Sequence, residues 1–468
     1  MQTSNPLPND ANLAIARDVL LALDRLPTPW PTNNPLLAEL VRFAARVVAR
    51  ERKQQRADGR ERDADVRAET GIRSGSPASP AVPLPALARP STCYVCKRQF
   101  NQLHHFYDSL CLECADWNFL RRHRTTDLRG RVALVTGGRV KAGYHVTLKL
   151  LRAGAEVVAT TRFPKDAARR FAAEPDAEIW AGRLRLVGLD LRALAATEQF
   201  AAKMRSTLPH LDIFVANAAQ TVRRPPAYYR SLVEAEREPL AALPTHAHEM
   251  VAHEASAAAL ATDGTLTTSH PGWPAELALL PLLPGDETAS DHFPVGQLDQ
   301  DQQQLDLRPE NSWGLPQESV STIELVEAHA INCLAPFLLL RELRPLFRAG
   351  APRDRFAVMV SALEGQFAGE KTGRHPHTNM AKAALNMLVR TSAAEFAADR
   401  VFLTAVDPGW FSVQAAAPAA ERFTTEGGRV PLDADDAASR ILDPIFSGVE
   451  SGQPASGVLF KDYRPVRW

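Results

Sequence analysis

The chain has 468 residues, which is long for one domain and predicts about two or three folded units with a sizeable core. Lysine plus arginine and aspartate plus glutamate both number 54, so the formal net charge is zero and does not indicate a nucleic-acid partner. The first residues, MQTSNPLPND, lack the basic and apolar segments of a secretion signal, and we find no apolar run of the roughly 18 residues that a membrane span needs. We therefore expect a cytoplasmic protein without a membrane partner.

Residues 1–73 are predicted to form a helical N-terminal extension. Leu37, Leu40 and Val41 begin an apolar stripe at helical spacing behind an Asn34 cap, with Pro35 at the first helical position. The mixed-charge stretch 51–73 continues it as a solvated helix. Residues 74–92 are rich in proline, serine and alanine, and this composition predicts a linker.

Residues 93–119 carry two C-x-x-C pairs that are 14 residues apart. Each pair can curl into a knuckle, and together they predict one tetrahedral zinc ion. The candidate ligands are Cys93, Cys96, Cys111 and Cys114. A set of three cysteines with His104 or His105 stays open. Because four protein ligands leave no open coordination position, we expect this zinc to hold structure and not to activate water. The segment resembles a treble-clef-like or ribbon-like zinc module. The fifth cysteine, Cys333, is expected to be a small buried apolar residue.

From Arg131 onward, short apolar strands alternate with amphipathic helices. Such an alternation requires parallel crossovers and predicts an α/β fold with a doubly wound parallel sheet. The pattern breaks at residues 223–318, which are rich in proline, include an acidic stretch and show only weak helix signals near 231–238. This insertion is predicted to be either a lid over a pocket or disordered. The regular pattern then resumes with a helix over 319–348, a strand over 355–361 and a helix beginning at Asn379.

The segment TGGRVKAG follows a buried strand and opens a helix, which is the context of a phosphate-binding loop. Glycines let the backbone approach a pyrophosphate, and the helix N-terminus offers unpaired amides. The candidate cofactor-binding residues of this segment are Thr136, Gly137, Arg139, Lys141 and Gly143.

Further polar residues follow the later strands in a fixed order. Asp190 ends the third strand, Asn217 lies in ANAA, Asn332 lies within a helix, Ser361 ends a strand, Lys382 is near a helix start, and Pro408 and Gly409 follow another strand. This set resembles the short-chain dehydrogenase/reductase family across residues 128–468. Two departures stand out: Lys141 replaces the middle glycine of TGxxxGxG, and ANAA matches NNAG loosely. The resemblance implies a Rossmann fold, with the proline-glycine turn of DPGW beside the nicotinamide.

The end of the second strand bears on the choice of cofactor. A carboxylate there would hold the ribose hydroxyls of NAD, but this strand ends in Thr160, Thr161 and Arg162. With Arg139 and Lys141 in the phosphate loop, several cations could surround a 2'-phosphate, so we expect NADP(H). The resemblance implies that Asp190 accepts a hydrogen bond from the adenine amino group. Helix capping is the alternative for this residue.

The resemblance also implies the roles of the catalytic residues. Ser361 would bind the carbonyl oxygen, Lys382 the nicotinamide ribose, and Asn332 a relay water. The family's catalytic tyrosine is missing, because its YxxxK motif reads TNMAK here, with Thr378 in place of the tyrosine. A threonine hydroxyl ionises far too weakly to replace a phenol directly. The substitute acid is predicted to be His377, His375 or a residue of the insertion.

Two functions remain open at the level of sequence. One is an NADP(H)-dependent oxidoreductase acting on a carbonyl or alcohol substrate with a non-tyrosine proton donor. The other is a catalytically lapsed NADP(H)-binding module coupled to a protein partner through the zinc module or the N-terminal helix. A homo-oligomer is compatible with both.

Overall fold

The structure is a computed structural model that describes residues 9–25, 35–75, 83–255, 273–287, 289–299, 301–368 and 371–468. The predicted Asn34 cap, linker residues 76–82 and the insertion residues 256–272 lie outside the described residues. The domain boundaries drawn from the sequence stay predictions.

Among the described residues, one sheet contains eight strands in the order β10-β9-β8-β7-β6-β3-β4-β5. Only β10 runs antiparallel to its neighbour, so the predicted doubly wound parallel sheet is confirmed. Its strands are β3 (Val132–Thr136), β4 (Glu156–Thr161), β5 (Leu184–Gly188), β6 (Ile213–Ala216), β7 (Arg355–Val360), β8 (Val401–Asp407), β9 (Val458–Lys461) and β10 (Arg464–Val466).

Helices cover both faces of this sheet, and each face has its own apolar core. In β3, Ala133 and Val135 pack into one core, while Val132 and Leu134 pack into the other, as the alternation of strand side chains requires. The first core is covered by α5 (Lys141–Arg152), α6 (Pro164–Ala172), α7 (Ala177–Trp180) and α17 (Ala434–Ser451). The second is covered by α8 (Leu194–Thr207), α13 (Ala335–Glu342), α14 (Arg344–Arg348) and α15 (Pro376–Ala398). α16 spans Ala417–Thr425.

The segment before the sheet contains exposed helices and a small module. α1 (Asp10–Asp24) has no buried residue, and α2 (Pro35–Ala68) buries residues only near its C-terminal end. α3 (Gly71–Ser74), the short hairpin of β1 (Ser91–Thr92) and β2 (Gln99–Phe100), and α4 (Leu112–Arg122) follow. The module docks on α17, where the Tyr107 hydroxyl lies 2.5 Å from Asp436 Oδ1 and Arg122 pairs with Asp433 at 2.6 Å.

The insertion is more helical than the sequence indicated. Instead of a weak helix near 231–238, α9 covers Pro226–Arg237, α10 covers Thr245–Ala255 and α11 covers Trp273–Glu276. α9 forms a small apolar cluster with Phe163, Ala278 and Phe293. Tertiary packing therefore stabilises helices whose local signals are weak.

The helix predicted over residues 319–348 is interrupted in the structure. α12 (Thr322–His329) is followed by a π segment, Ala330–Leu334, before α13 begins. By length and composition alone, Thr322–Glu342 could cross a membrane, contrary to the expectation from sequence. Half of that stretch is buried within the protein, and Glu324, Glu327 and Asn332 are buried there too.

α15 begins at Pro376, three residues before the predicted start at Asn379. His377 and Thr378 consequently lie in its first turn and not in a loop. Pro376 at the first helical position explains the earlier start, because its fixed φ suits that position.

Candidate functional site

The glycine loop between β3 and α5 is tightly packed. Gly137 has φ +73°, and Asn217 donates from Nδ2 to the carbonyl oxygens of Thr136 at 3.1 Å and Gly137 at 3.2 Å. A Cβ on Gly143 would lie 2.0 Å from the Gly137 oxygen and 2.4 Å from Asn217 Nδ2. The structure thus brings Thr136, Gly137, Gly143 and Asn217 together, in a backbone cradle that a side chain would fill.

Lys141 stands where the resemblance calls for glycine, and it keeps a glycine-like backbone. Its φ is +54°, a conformation that costs a non-glycine residue energy. Its Nζ lies 3.2 Å from Asp301 Oδ2 and 3.5 Å from Ser412 Oγ. The insertion therefore reaches the glycine loop between β3 and α5 through a carboxylate.

Arg139 and Arg162 lie near each other, since both guanidinium groups pack on the Phe163 ring at 5.5 and 5.4 Å. Arg139 also pairs with Asp166 at 2.7 Å, and Arg162 lies 4.4 Å from the centre of the Tyr229 ring. Both arginines of the expected cluster of cations thus contact the same aromatic ring, and each already has another protein partner.

Asp190 is buried at the end of β5 and is held by Arg192. The Arg192 side chain contacts both of its oxygens, with Nη2 2.7 Å from Oδ2, and the Arg192 amide donates to Oδ1 at 3.0 Å. Asp190 therefore closes a local turn before α8 and does not cap that helix, whose N-cap Ala193 has no side-chain cap hydrogen bond.

Two hydroxyl groups lie buried beside the ends of β7 and α15. Ser361 donates its amide to the Val406 oxygen at 2.8 Å, which fixes it against β8. The Ser361 and Thr378 hydroxyls find no hydrogen-bond partner among the described residues. The Thr404 and Tyr463 hydroxyls are also buried without a partner among the described residues, so it is the position of Ser361 and Thr378 together, at the carboxyl ends of the strands, that makes them candidates for binding a ligand.

Lys382 lies one helical turn after Thr378 and is buried. Its Nζ donates to the Val360 oxygen at 2.7 Å. Burial lowers the pKa of Lys382 to about 8, although Glu364 and Cys333 act in the opposite direction. At neutral pH this ammonium is charged and close to its titration range.

Asn332 lies in the π segment and fixes the loop that follows β6. Its Oδ1 accepts from the Gln220 amide at 2.7 Å, and its Nδ2 donates to the Gln220 oxygen at 2.9 Å. Asn332 therefore positions the backbone that follows the carboxyl end of β6.

The two candidate histidines have different environments. His375 has φ +40°, stacks on Trp313 at 4.0 Å and places Nδ1 2.9 Å from the Trp313 oxygen, so it anchors the end of the insertion. His377 is buried, with Nε2 3.8 Å from Glu324 Oε1 and no partner for Nδ1 among the described residues. Burial, together with nearby His375 and His329, lowers the pKa of His377 to about 4. His377 is therefore uncharged at neutral pH.

The proline-glycine turn after β8 is held from several sides. Gly409 has φ +83° and donates its amide to Asp407 Oδ1 at 2.9 Å. Lys461 pairs with the other Asp407 oxygen at 2.6 Å. The Trp410 amide donates to the Tyr94 hydroxyl at 2.9 Å, and this contact comes from the cysteine module.

The four clustered cysteines converge on one point. Their sulfur atoms all lie within 4.8 Å of one another, and Cys96 Sγ lies 3.7 Å from Cys111 Sγ. A tetrahedral zinc with bonds of about 2.3 Å requires sulfur separations of about 3.8 Å, so the cluster fits that metal. His104 is not in this cluster, since its Nδ1 accepts from the Phe106 amide at 3.0 Å and its Nε2 lies 3.3 Å from Asp116.

Sequence reasoning missed several contacts of the site, among them Asp301 on Lys141, Glu324 beside His377, and Tyr94 on Trp410. Asp301 falls in the acidic stretch that had been noted, so its charge was a usable signal. The other two depend on long-range packing that no local pattern announces.

The chain matches two family models in its sheet-forming region. Residues 131–236 match the model described as short chain dehydrogenase, and residues 314–431 match the model described as Enoyl-(Acyl carrier protein) reductase. The gap between the two matches lies within the insertion.

Similar proteins were found by sequence and by structure. The uncharacterized protein R665 of Acanthamoeba polyphaga mimivirus is 30% identical over 381 residues, which cover 76% of this chain and 71% of the relative. The dehydrogenase/reductase SDR family member 13 of Homo sapiens is 38% identical over 94 residues, which cover 20% of this chain and 24% of the relative. The NADPH-bound carbonyl reductase from chicken fatty liver aligns at 17% identity and a TM-score of 0.44, with coverage of 73% of this chain and 100% of that structure.

The ordered landmarks of the parallel sheet and the matches on both sides of the insertion agree on one assignment. Residues 131–236 and 314–431 of the chain are accordingly similar to short-chain dehydrogenases and reductases.

Proposed function

We propose that this protein is an NADP(H)-dependent oxidoreductase that acts on a carbonyl or hydroxyl group with a proton donor other than tyrosine. The observation that carries the proposal is the buried set of Ser361, Thr378 and Lys382, in which both hydroxyls lack a partner among the described residues. In open α/β sheets, ligands bind outside the carboxyl ends of the strands, where these side chains lie.

The residues present fit a dinucleotide. Gly137 and Gly143 form a cradle that a Cβ would fill, and this leaves room for backbone amides to approach a pyrophosphate. Asn217 holds the cradle in shape through the two carbonyl oxygens that it binds. Bound NADP(H) would supply or accept the hydride.

The preference for NADP(H) rests on the end of β4. Arg162 stands where a carboxylate would favour NAD, and Arg139 packs on the same phenylalanine ring. A 2'-phosphate that binds here would replace Asp166 as the partner of Arg139. We expect NADPH to bind more tightly than NADH and Arg162→Ala to reduce that preference, which calorimetric titration measures directly. Equal affinities in the wild type would refute the choice.

In the proposed reduction, the substrate's carbonyl carbon gains the hydride, its C–O π bond breaks, and the oxygen takes a proton. Ser361 donates a hydrogen bond to that oxygen and orients it. Thr378 and Lys382 lie on one face of α15, one turn apart, although Lys382 Nζ donates to the Val360 oxygen and the Thr378 hydroxyl has no partner among the described residues. In the proposed step the Lys382 side chain turns toward Thr378, whose hydroxyl gives its proton to the substrate as it receives one from the ammonium. A hydroxyl that gives one proton and accepts another in the same step does not pass through an alkoxide. Its low acidity is therefore no obstacle.

His377 is the weaker candidate for the donor. Its pKa of about 4 means that it carries no extra proton at neutral pH, and its Nε2 is directed toward Glu324. General acids work best with a pKa near the operating pH, and Lys382 is closer to this condition.

A lapsed dinucleotide-binding module is the second candidate, and the loss of the family's tyrosine favours it. On that alternative, NADP(H) occupancy would regulate a partner held by the cysteine module or the N-terminal helices. We propose that the cysteine module holds one structural zinc ion in either case, since its four sulfur atoms leave no open position.

A variant series with NADPH and a panel of carbonyl compounds tests the proposal. We expect turnover in the wild type, loss in Ser361→Ala, and a fall of about 10²- to 10⁴-fold in the isosteric Thr378→Val with NADPH affinity unchanged. His377→Gln should keep turnover and serves as the matched control. A large loss in His377→Gln with none in Thr378→Val would contradict the relay. Binding without turnover in the wild type, weakened by Lys382→Met, would establish the lapsed module instead.

A further inference from the structure

Tyr94 joins the cysteine module to the turn after β8. It lies between the ligand candidates Cys93 and Cys96, and its hydroxyl accepts the Trp410 amide at 2.9 Å. A Cβ on Gly409 would lie 3.2 Å from the same hydroxyl. The phenol therefore rests directly on the backbone of the turn.

The backbone around Tyr94 is fixed within the module. The Cys93 amide donates to the Arg98 oxygen at 2.9 Å, and the Tyr94 amide donates to the Ser109 oxygen at 2.9 Å. Lys97 closes the knuckle: its φ is +63°, and its backbone amide donates a hydrogen bond to the Cys93 oxygen at 3.0 Å. Any metal that draws the four sulfur atoms together would stiffen this knuckle further and, with it, the position of Tyr94.

The turn is connected onward toward the dinucleotide loop. Trp410 donates from Nε1 to the Ser412 oxygen at 3.1 Å, and Ser412 Oγ lies 3.5 Å from Lys141 Nζ. Ser361 is tied to β8 immediately before the turn, through the Val406 oxygen. We therefore expect a shift of Trp410 to change the positions of both Lys141 and Ser361.

Sheet order decides which half of a dinucleotide meets this turn. The strand order reverses between the parallel neighbours β3 and β6, and dinucleotides lie across such a switch point. The adenosine half belongs with β4, where Arg162 lies, so the nicotinamide half falls on the β6, β7 and β8 side. The turn that Tyr94 supports is on that side.

We propose that Tyr94 is a positioning residue for the nicotinamide half of the cofactor, and that it couples the state of the cysteine module to the reacting end of the site. The inference rests on the proposed cofactor. The contact is separable from the docking of the module, because Tyr107 and Arg122 hold the module on α17 independently.

The test compares Tyr94→Phe with wild type in binding NADPH and adenosine 2',5'-bisphosphate, which lacks the nicotinamide half. Removing one hydrogen bond typically changes an affinity by about 2- to 10-fold. We expect NADPH to bind about 2- to 10-fold more weakly, with unchanged bisphosphate affinity and unchanged zinc content. Tyr463→Phe is the matched control, since the Tyr463 hydroxyl has no partner among the described residues, and it should bind both ligands as wild type does.

Each other outcome counts against the inference. Equal weakening of both ligands would show a general structural role, and unchanged NADPH affinity would show that the contact does not reach the cofactor. If the wild type binds neither ligand, the proposed cofactor fails and the inference fails with it. That result is recognisable, because it needs no variant.

Discussion

Gly143→Ala tests whether the glycine cradle is the phosphate site. The added methyl carbon would lie 2.0 Å from the Gly137 oxygen and 2.4 Å from Asn217 Nδ2, far inside ordinary contact distance. Both neighbours belong to the cradle itself, so relief of the overlap must displace the backbone that would meet the pyrophosphate. Overpacking of this kind typically costs about 1–3 kcal/mol. If the substitution destabilises the loop conformation that binds NADPH by this amount, the NADPH dissociation constant rises about 5- to 150-fold.

Isothermal titration of NADPH into wild type and variant measures this change. Gly182→Ala is the matched control, because a Cβ there meets nothing within 4 Å, and it should bind as wild type does. Circular dichroism and unfolding midpoints separate a local effect from loss of the fold. Wild-type affinity in a folded Gly143→Ala protein would refute the assignment of this loop to the cofactor.

Three further predictions concern the metal, the insertion and pH. Protein purified without chelators should contain about one zinc per chain, and Cys93→Ser should lose it while Cys333→Ser keeps it; metal analysis that finds no zinc in the wild type would refute the site. Asp301→Asn should tighten NADPH binding severalfold at low salt and less at high salt, because its carboxylate opposes phosphates at Lys141, and an effect independent of salt would contradict this cause. His377 takes up a proton at about pH 4 when folded instead of at its ordinary 6.5, so stability should fall by about 3 kcal/mol as pH drops through this window. His377→Gln should lack that component in denaturant unfolding at matched pH, and parallel pH curves for the two proteins would show the pKa to be unshifted.

The sheet could be predicted from sequence because its signals are local and repeated. Apolar strands of about five residues alternate with amphipathic helices, and a doubly wound parallel sheet satisfies that alternation. The insertion could not be predicted equally well. α9 begins at Pro226 and is stabilised by Phe163 and Phe293, which are distant in sequence, so its local pattern understates it.

The candidate site divides in the same way. Gly137, Gly143 and Asn217 follow from a motif whose spacing encodes the geometry, and the structure brings them together. The partners of the charges could not be predicted: the acidic stretch that contains Asp301 is visible in the sequence, but the pairing of Asp301 with Lys141 and that of Asp166 with Arg139 form only on folding. The roles of the two histidines also depended on folding, since Trp313 captures His375 and burial neutralises His377.

The hydrogen bonds between Asn332 and Gln220 bear on how freely the insertion can vary in length. Gln220 precedes the insertion and Asn332 follows it, and their two hydrogen bonds hold the two ends of the insertion together. Doubling the length of such a loop costs only about 0.6 kcal/mol in closure entropy. Parts of the insertion between these ends can therefore change in length at little cost in closure entropy, but α10 cannot be removed in this way, because Ala247, Met250 and Val251 belong to the first core of the sheet.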